Sequence, residues 1–137
     1  RAPHFSERGY DTRQWRGQQM LSGKTTSVEE AKVSGLPFFV KPNHKLAPAD
    51  LMQVLRDHYD GTIYDVSDNK KGNPNRSHER TICYKTSQVS VVAQLRDKLP
   101  KEIAPVLWVS FGRPDVNIYV PFYPVAAKIP DFYHFVP

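Results

Sequence analysis

Asp57 and His58 are adjacent, and their types suggest acid–base chemistry. They fall near the end of a predicted helix, where neighbouring side chains point about 100° apart and cannot easily form a relay with each other. His58 also continues the apolar stripe of that helix, which favours a histidine in the core over a catalytic one. Asp57 is then expected to be a solvated or capping group.

The local spacing of the metal-ligand types predicts no metal and no cofactor. The five histidines form neither an i,i+4 pair nor a Cys–His cluster, and the single cysteine, Cys83, excludes an internal disulfide. No glycine-rich phosphate loop and no Ser–His–Asp arrangement occurs in the sequence. The histidines are His4, His44, His58, His78 and His134.

The net charge of +5 comes from 19 basic and 14 acidic residues. Because both signs are spread along the whole chain, the clustered basic footprint that nucleic-acid binding requires is missing. No apolar run approaches the roughly 18 residues of a membrane span, so no membrane span is expected. The sequence carries no targeting segment and leaves the compartment unknown.

The chemistry-bearing residues must be positioned by an α+β fold. Residues 48–59 form the clearest predicted helix, which begins at Pro48 and is followed by Gly61 as a stop. A shorter helix is predicted from Ser27, because Ser27 and Glu30 make a capping-box pattern. The rest of residues 1–37 is predicted to be irregular, and residues 65–79 a long polar loop.

Four strands are predicted in the second half of the chain, from β-forming residues and from alternating polar and apolar positions. Turns containing proline or glycine separate the later ones, which indicates an antiparallel meander. Residues 1–137 are expected to form a single incomplete domain, with 1–40 as an irregular lead-in and 41–137 as helix plus antiparallel strands. The predicted strands are 81–86, 88–95, 106–111 and 116–120.

Three stretches in this order and spacing resemble the cysteine dipeptidases related to secernin, a family of the N-terminal-nucleophile hydrolase superfamily. The resemblance covers about residues 36–133. The first stretch is 55–62 (LRDHYDGT) with Tyr64 and Asp65, the second is 80–82 with Ser87, Val89 and Gln94, and the third comprises 99–100, 106–108, 119–123 and 129–130.

The resemblance implies part of a four-layer αββα fold and the hydrolysis of dipeptides. It also implies a nucleophile that is the first residue of the mature chain, a cysteine whose own α-amino group is the base. An α-amino group has a pKa of about 7.7–8.0, so it can accept the thiol proton near neutral pH. Backbone N–H groups and side-chain amides would then hold the oxyanion.

This sequence departs from the family's pattern at its first residue, which is Arg1. Cys83 cannot replace the missing nucleophile, because it has no free α-amino group and a cleavage before it would cut a predicted strand. The chain is therefore expected to be an inactive fragment of its parent. Its expected partners are a dipeptide substrate and the missing N-terminal part, and the sequence leaves a homo-oligomer open.

Arg80 is the catalytic-site residue that the resemblance implies. In the related acylases an arginine just before a comparable strand points toward the nucleophile, where a guanidinium can lower the pKa of a thiol or bind a substrate carboxylate. The alternative is an arginine at a loop end that pairs with Glu79 or Asp65.

The remaining polar and aromatic candidates have simpler structural interpretations. Trp108 and Tyr119 are expected to pack in the core or across strands, with a substrate-lining role as the alternative. Asn73 and Asn75 suit turns, and Gln94 is expected to be exposed.

Two further functions stay open beside the dipeptidase. One is a non-catalytic, secernin-like interaction module. The other is an acylase that cleaves a non-peptide amide.

Overall fold

The computed structural model describes residues 11–66 and 80–125. Within these residues the fold is α+β, with few helices and one small antiparallel sheet, as the sequence predicted. None of the helices in this part of the chain has the length and apolar character needed to cross a bilayer. The elements are α1 Thr12–Ser22, α2 Val28–Ser34, α3 Pro48–Arg56, β1 Val89–Leu95, β2 Pro105–Phe111 and β3 Val120–Phe122.

Helix α1 lies in the segment that the sequence predicted to be irregular, so that prediction is wrong. The helix is defined by its ends: the Asp11 carboxylate accepts the Arg13 N–H at 2.8 Å, and Gly23 closes the helix in the left-handed region with φ 66°. Trp15 is its buried anchor, and the indole N–H donates to the Thr26 carbonyl at 2.8 Å. A polar helix whose large apolar residues, Trp15, Met20 and Leu21, do not repeat at helical spacing gives almost no periodic signal.

Helix α2 follows the predicted cap, because the Ser27 hydroxyl accepts the Glu30 N–H at 3.1 Å. Its Ala31 is fully buried against Trp15. Tyr64 completes this small core, and its ring meets the Trp15 ring edge-on at a centroid distance of 6.0 Å. The first two helices are thus tied to the loop that follows α3.

Helix α3 begins at Pro48 as predicted, and the Ala47 N–H donates to the Asp50 carboxylate at 2.7 Å. It ends at Arg56, three residues before the predicted end. The backbone becomes extended at Asp57 and then left-handed at Tyr59, with φ 65°. Asp57, His58 and Tyr59 therefore leave the helix and point into a junction with other segments.

The sheet has the order β1-β2-β3, and both pairs are antiparallel, as the sequence predicted. Val91 lies opposite Val109, and Leu107 lies opposite Phe122. Among the described residues β1 pairs with β2 alone, so its other edge is left without a strand.

Two predicted strands are wrong. Residues 81–86 form bends and a turn, because the Cys83 N–H donates to the Asp57 carbonyl instead of to a neighbouring strand. Residues 113–117 form a turn in which the Asn117 amide donates to the Arg113 carbonyl at 2.8 Å, and only Val120–Phe122 extends the sheet.

The two faces of the sheet differ in burial. Helix α3 lies against β1, and the packed face holds Val92 and Val106, which are 4% and 1% exposed. The opposite face is apolar and solvent-exposed, and we call it the open face. The alternation of apolar and polar residues along β1 was predicted correctly. The apolar side of this strand lies on the uncovered face of the sheet. The open face consists of the exposed Val89, Val91, Ala93, Leu95, Leu107 and Phe111 and the half-buried Val109, Val120 and Phe122.

Candidate functional site

Asp57 is buried and ion-paired, which corrects the prediction of a solvated group. Its side chain is 2% exposed, and the Arg16 guanidinium reaches it through Nη2 at 2.7 Å and Nε at 3.0 Å. The second oxygen, Oδ2, accepts from Arg16 Nε at 3.0 Å and from the Tyr59 N–H at 2.8 Å, so Asp57 does cap the local backbone. A bidentate pair of this kind fixes both partners strongly, because either charge left alone in the interior would be costly.

Tyr59 connects this ion pair to the segment that carries Arg80. The residue is fully buried, and its hydroxyl donates to the Arg80 carbonyl at 2.8 Å. The hydroxyl also lies 3.1 Å from Thr12 Oγ1. With the hydrogen bond from the Cys83 N–H to the Asp57 carbonyl at 3.1 Å, two bonds join residues 57–59 to residues 80–83.

Arg80 has a fixed backbone and an exposed side chain. Its guanidinium carbon lies 5.3 Å from the centroid of the Tyr84 ring, a cation–π distance. Next to it, Thr81 is buried and its hydroxyl donates to the Cys83 carbonyl. This arrangement presents a cation to solvent from an anchored main chain. Of the two predicted alternative partners, Glu79 lies outside the described residues, and the Asp65 carboxylate accepts the Gly61 N–H at 2.7 Å.

His58, Cys83 and Asp115 meet in a second polar cluster, with their ligand atoms all within 4.8 Å of one another. His58 Nε2 lies 3.1 Å from the Asp115 carboxylate, and since a carboxylate accepts, this nitrogen donates. The other ring nitrogen, Nδ1, is buried with no hydrogen-bond partner among the described residues. Arg113 pairs with both oxygens of Asp115.

The electrostatics of this cluster favour a thiol over a thiolate. Burial raises the pKa of Cys83 to about 11, and the Asp115 carboxylate adds to the effect. Although desolvation opposes it, hydrogen bonds from Arg113, Cys83 and His58 hold the pKa of Asp115 well below its usual range. At neutral pH Cys83 is therefore protonated beside a charged carboxylate, which is the opposite of an activated nucleophile.

A His, Cys and Asp set is suitable for zinc in ligand type, and the sequence did not predict it because residues 58, 83 and 115 lie far apart in the chain. Binding would require loss of the Cys83 proton and displacement of Arg113 from one carboxylate oxygen. The Asp115 carboxylate already has its hydrogen bonds and its ion pair, and Cys83 is protonated, so the arrangement favours a structural cluster over a metal site, with His58 Nδ1 left without a partner among the described residues.

Arg56 fixes the turn that carries Arg113 and Asp115. Its Nε donates to the Pro114 carbonyl at 2.7 Å, and its guanidinium lies 5.2 Å from the centroid of the Tyr119 ring. The end of α3 thus supports the second cluster directly.

The remaining predicted residues have structural partners or lie outside the description. Trp108 and Gln94 are half-buried, and the indole N–H donates to the Gln94 side chain at 3.2 Å across the strands. This confirms cross-strand contact for Trp108 and corrects the expected exposure of Gln94. His44 lies 3.2 Å from the Asp50 carboxylate. Outside the described residues lie His4, Asn73, Asn75, His78 and His134.

The model of peptidase family C69 matches residues 3–136 of this chain. The chain belongs to peptidase family C69. This confirms the resemblance to cysteine dipeptidases, and the N-terminal-nucleophile superfamily is consistent with it.

Named relatives agree with the family match. A "Probable dipeptidase" of Latilactobacillus sakei is 33% identical over 132 residues, which cover 96% of this chain and 27% of that protein. A "Probable dipeptidase" of Salmonella dublin is 34% identical over 64% of the chain and 19% of its own length. A "Dipeptidase" of Bifidobacterium longum is 28% identical over 71% of the chain and 18% of its own length. The C69 chain thus spans about a quarter or less of these relatives.

Proposed function

We propose that this chain is part of a dipeptidase whose nucleophile, an N-terminal cysteine, lies outside these 137 residues. The observation that carries the proposal is the family match over residues 3–136, together with relatives named dipeptidases. The buried, protonated Cys83 supports it, because the cysteine within this chain is unsuitable as a nucleophile.

The open face of the sheet also supports a chain that is completed by further polypeptide. Val91 is 49% exposed and Phe111 is 65% exposed on a continuous apolar surface. A second sheet would pack on such a face in a layered α+β protein, with the α3 side as the outer layer. The relatives are several times longer than this chain, so they have the residues to supply that layer.

In this proposal Arg80 binds the carboxylate of the dipeptide. Its backbone is anchored by Tyr59, its side chain is exposed, and a guanidinium matches a carboxylate with two parallel hydrogen bonds. A dipeptide differs from the end of a longer peptide in carrying both termini close to the scissile bond. A cation at one end of the site would therefore help to select dipeptides.

The test uses the full-length polypeptide that contains this chain and compares a dipeptide with the corresponding dipeptide amide. Arg80→Ala should lower kcat/KM for the dipeptide about tenfold to a hundredfold, since a hydrogen bond to a charged group contributes about 1.5–3 kcal/mol. Hydrolysis of the amide should change much less. Arg80→Lys should fall between, because lysine keeps the charge and loses the paired geometry.

Lys85→Ala is the matched control, because Lys85 is also an exposed cation beside the Tyr84 ring, at 5.9 Å. It should leave both rates within about twofold, as expected for an exposed charge with little coupling to substrate. Equal losses for the dipeptide and its amide in Arg80→Ala would contradict carboxylate binding. If the wild-type protein cleaves acyl amides but no dipeptide, it is an acylase. If it cleaves neither class of substrate, it is a non-catalytic module.

A further inference from the structure

Tyr59 has an unusual backbone for its residue type. With φ 65° it is the one non-glycine residue with positive φ within residues 11–66 and 80–125. The left-handed region is unfavourable for a side chain with a Cβ, and such conformations persist where the surroundings impose them. They occur often at functional sites, so the contacts that hold Tyr59 indicate what the strain achieves.

Both main-chain polar groups of Tyr59 are bonded. Its N–H donates to the Asp57 carboxylate at 2.8 Å, and that carboxylate is held in turn by Arg16. Its carbonyl accepts the Thr62 N–H at 3.0 Å and the Thr62 hydroxyl at 2.7 Å. Together these hydrogen bonds hold the backbone of the bend that follows α3 in this conformation.

The bend places the phenol of Tyr59 beside the backbone of residue 80. The ring is fully buried, it meets the Tyr64 ring at 6.4 Å, and its hydroxyl donates to the Arg80 carbonyl at 2.8 Å. A helical continuation through residue 59 would direct the side chain elsewhere. The strained conformation therefore connects the Arg16–Asp57 ion pair to the main chain of Arg80.

We propose that Tyr59 is the positioning residue for Arg80, and that its hydroxyl sets the direction in which the guanidinium meets the substrate carboxylate. This inference rests on the proposed function of Arg80. Tyr59 acts through the Arg80 backbone and does not touch substrate. Loss of the Tyr59 hydroxyl should therefore reduce the preference for a dipeptide over its amide more than it slows the chemical step.

The test is Tyr59→Phe in the full-length polypeptide, which keeps the ring and removes the hydroxyl. The ratio of kcat/KM for a dipeptide to that for its amide should fall about threefold to tenfold, the size expected for one hydrogen bond. The loss should lie mainly in KM for the dipeptide. Tyr64→Phe removes a hydroxyl from the same aromatic group and should leave the ratio unchanged.

A double variant separates this inference from the proposed function. In an Arg80→Ala background, Tyr59→Phe should no longer change the ratio, because the group it positions is gone. If Arg80→Ala alone has no effect on the ratio, the role proposed for Arg80 fails. If Arg80→Ala lowers the ratio but Tyr59→Phe lowers only the melting temperature, Tyr59 is a structural residue and the positioning role is overturned.

Discussion

The polar junction after α3 and the open face of the sheet differ in whether this chain supplies partners for their side chains. In the junction, the Asp57 carboxylate, the Tyr59 hydroxyl and the Asp115 carboxylate all have hydrogen-bond partners within this chain. On the open face, Leu95 is 82% exposed and Phe111 is 65% exposed, with no layer over them among the described residues. The comparison indicates that this chain pairs the carboxylates of its junction by itself and leaves one apolar face of its sheet uncovered among the described residues.

The largest expected effect comes from breaking the junction at Arg16. Arg16→Ala leaves the Asp57 carboxylate buried without its cation, so the free energy of unfolding should fall by about 3–5 kcal/mol. Arg13→Ala, on the same helix but in an exposed pair with Asp11, should cost less than about 1 kcal/mol. Urea unfolding of the 137-residue chain measures both. Equal losses would show that the junction does not stabilise the fold as described.

A lysine on the open face should give a result that depends on context. Val91→Lys should change the stability of this chain by less than about 0.5 kcal/mol, because position 91 is solvent-exposed. In the full-length polypeptide it should cost about 2–3 kcal/mol, since the proposed second layer would bury the charge.

Val33→Lys is the control for this comparison, because Val33 is 87% exposed on α2 and the same change should be neutral in both contexts. Identical small effects of Val91→Lys in the chain and in the full-length polypeptide would contradict a covered face. Thermal or urea unfolding of the two variants in both proteins gives the answer.

A smaller effect is expected from the second cluster, and it depends on pH. The pKa of Asp115 is lowered in the folded state, so its charge stabilises the fold above the unfolded pKa of about 3.9, and this contribution is lost as pH falls toward the folded pKa. Asp115→Asn should therefore be less stable than the wild type at pH 7, and the gap should shrink below about pH 4. A gap that stays constant from pH 7 to pH 3 would exclude the proposed role of the charge.

The sequence predicted those elements whose signals are local. The Ser27 cap, the Pro48 start, and the strands β1 and β2 all follow from short patterns, and the family followed from three stretches in register. Helix α1 was missed because its stability depends on Asp11, Gly23 and one tryptophan rather than on a stripe. The end of α3 was misplaced because Tyr59 keeps the helical spacing while long-range bonds redirect it.

The site was less predictable because tertiary contacts assemble it. Nothing local indicates that Arg16 reaches Asp57, or that His58, Cys83 and Asp115 meet. The exposure of the open face could not be predicted, because alternation shows which residues share a face and not which face is covered. The catalytic role of Arg80 stays a prediction.

The proposed nucleophile of the full-length polypeptide is an N-terminal cysteine and not Cys83. We would treat the mature full-length polypeptide with iodoacetamide at pH 7, follow dipeptide hydrolysis, and locate the label by mass spectrometry. Activity should be lost as an N-terminal cysteine becomes labelled, while Cys83, which is 1% exposed and has a pKa of about 11, stays unmodified. Loss of hydrolysis that tracks labelling of Cys83 would contradict this proposal.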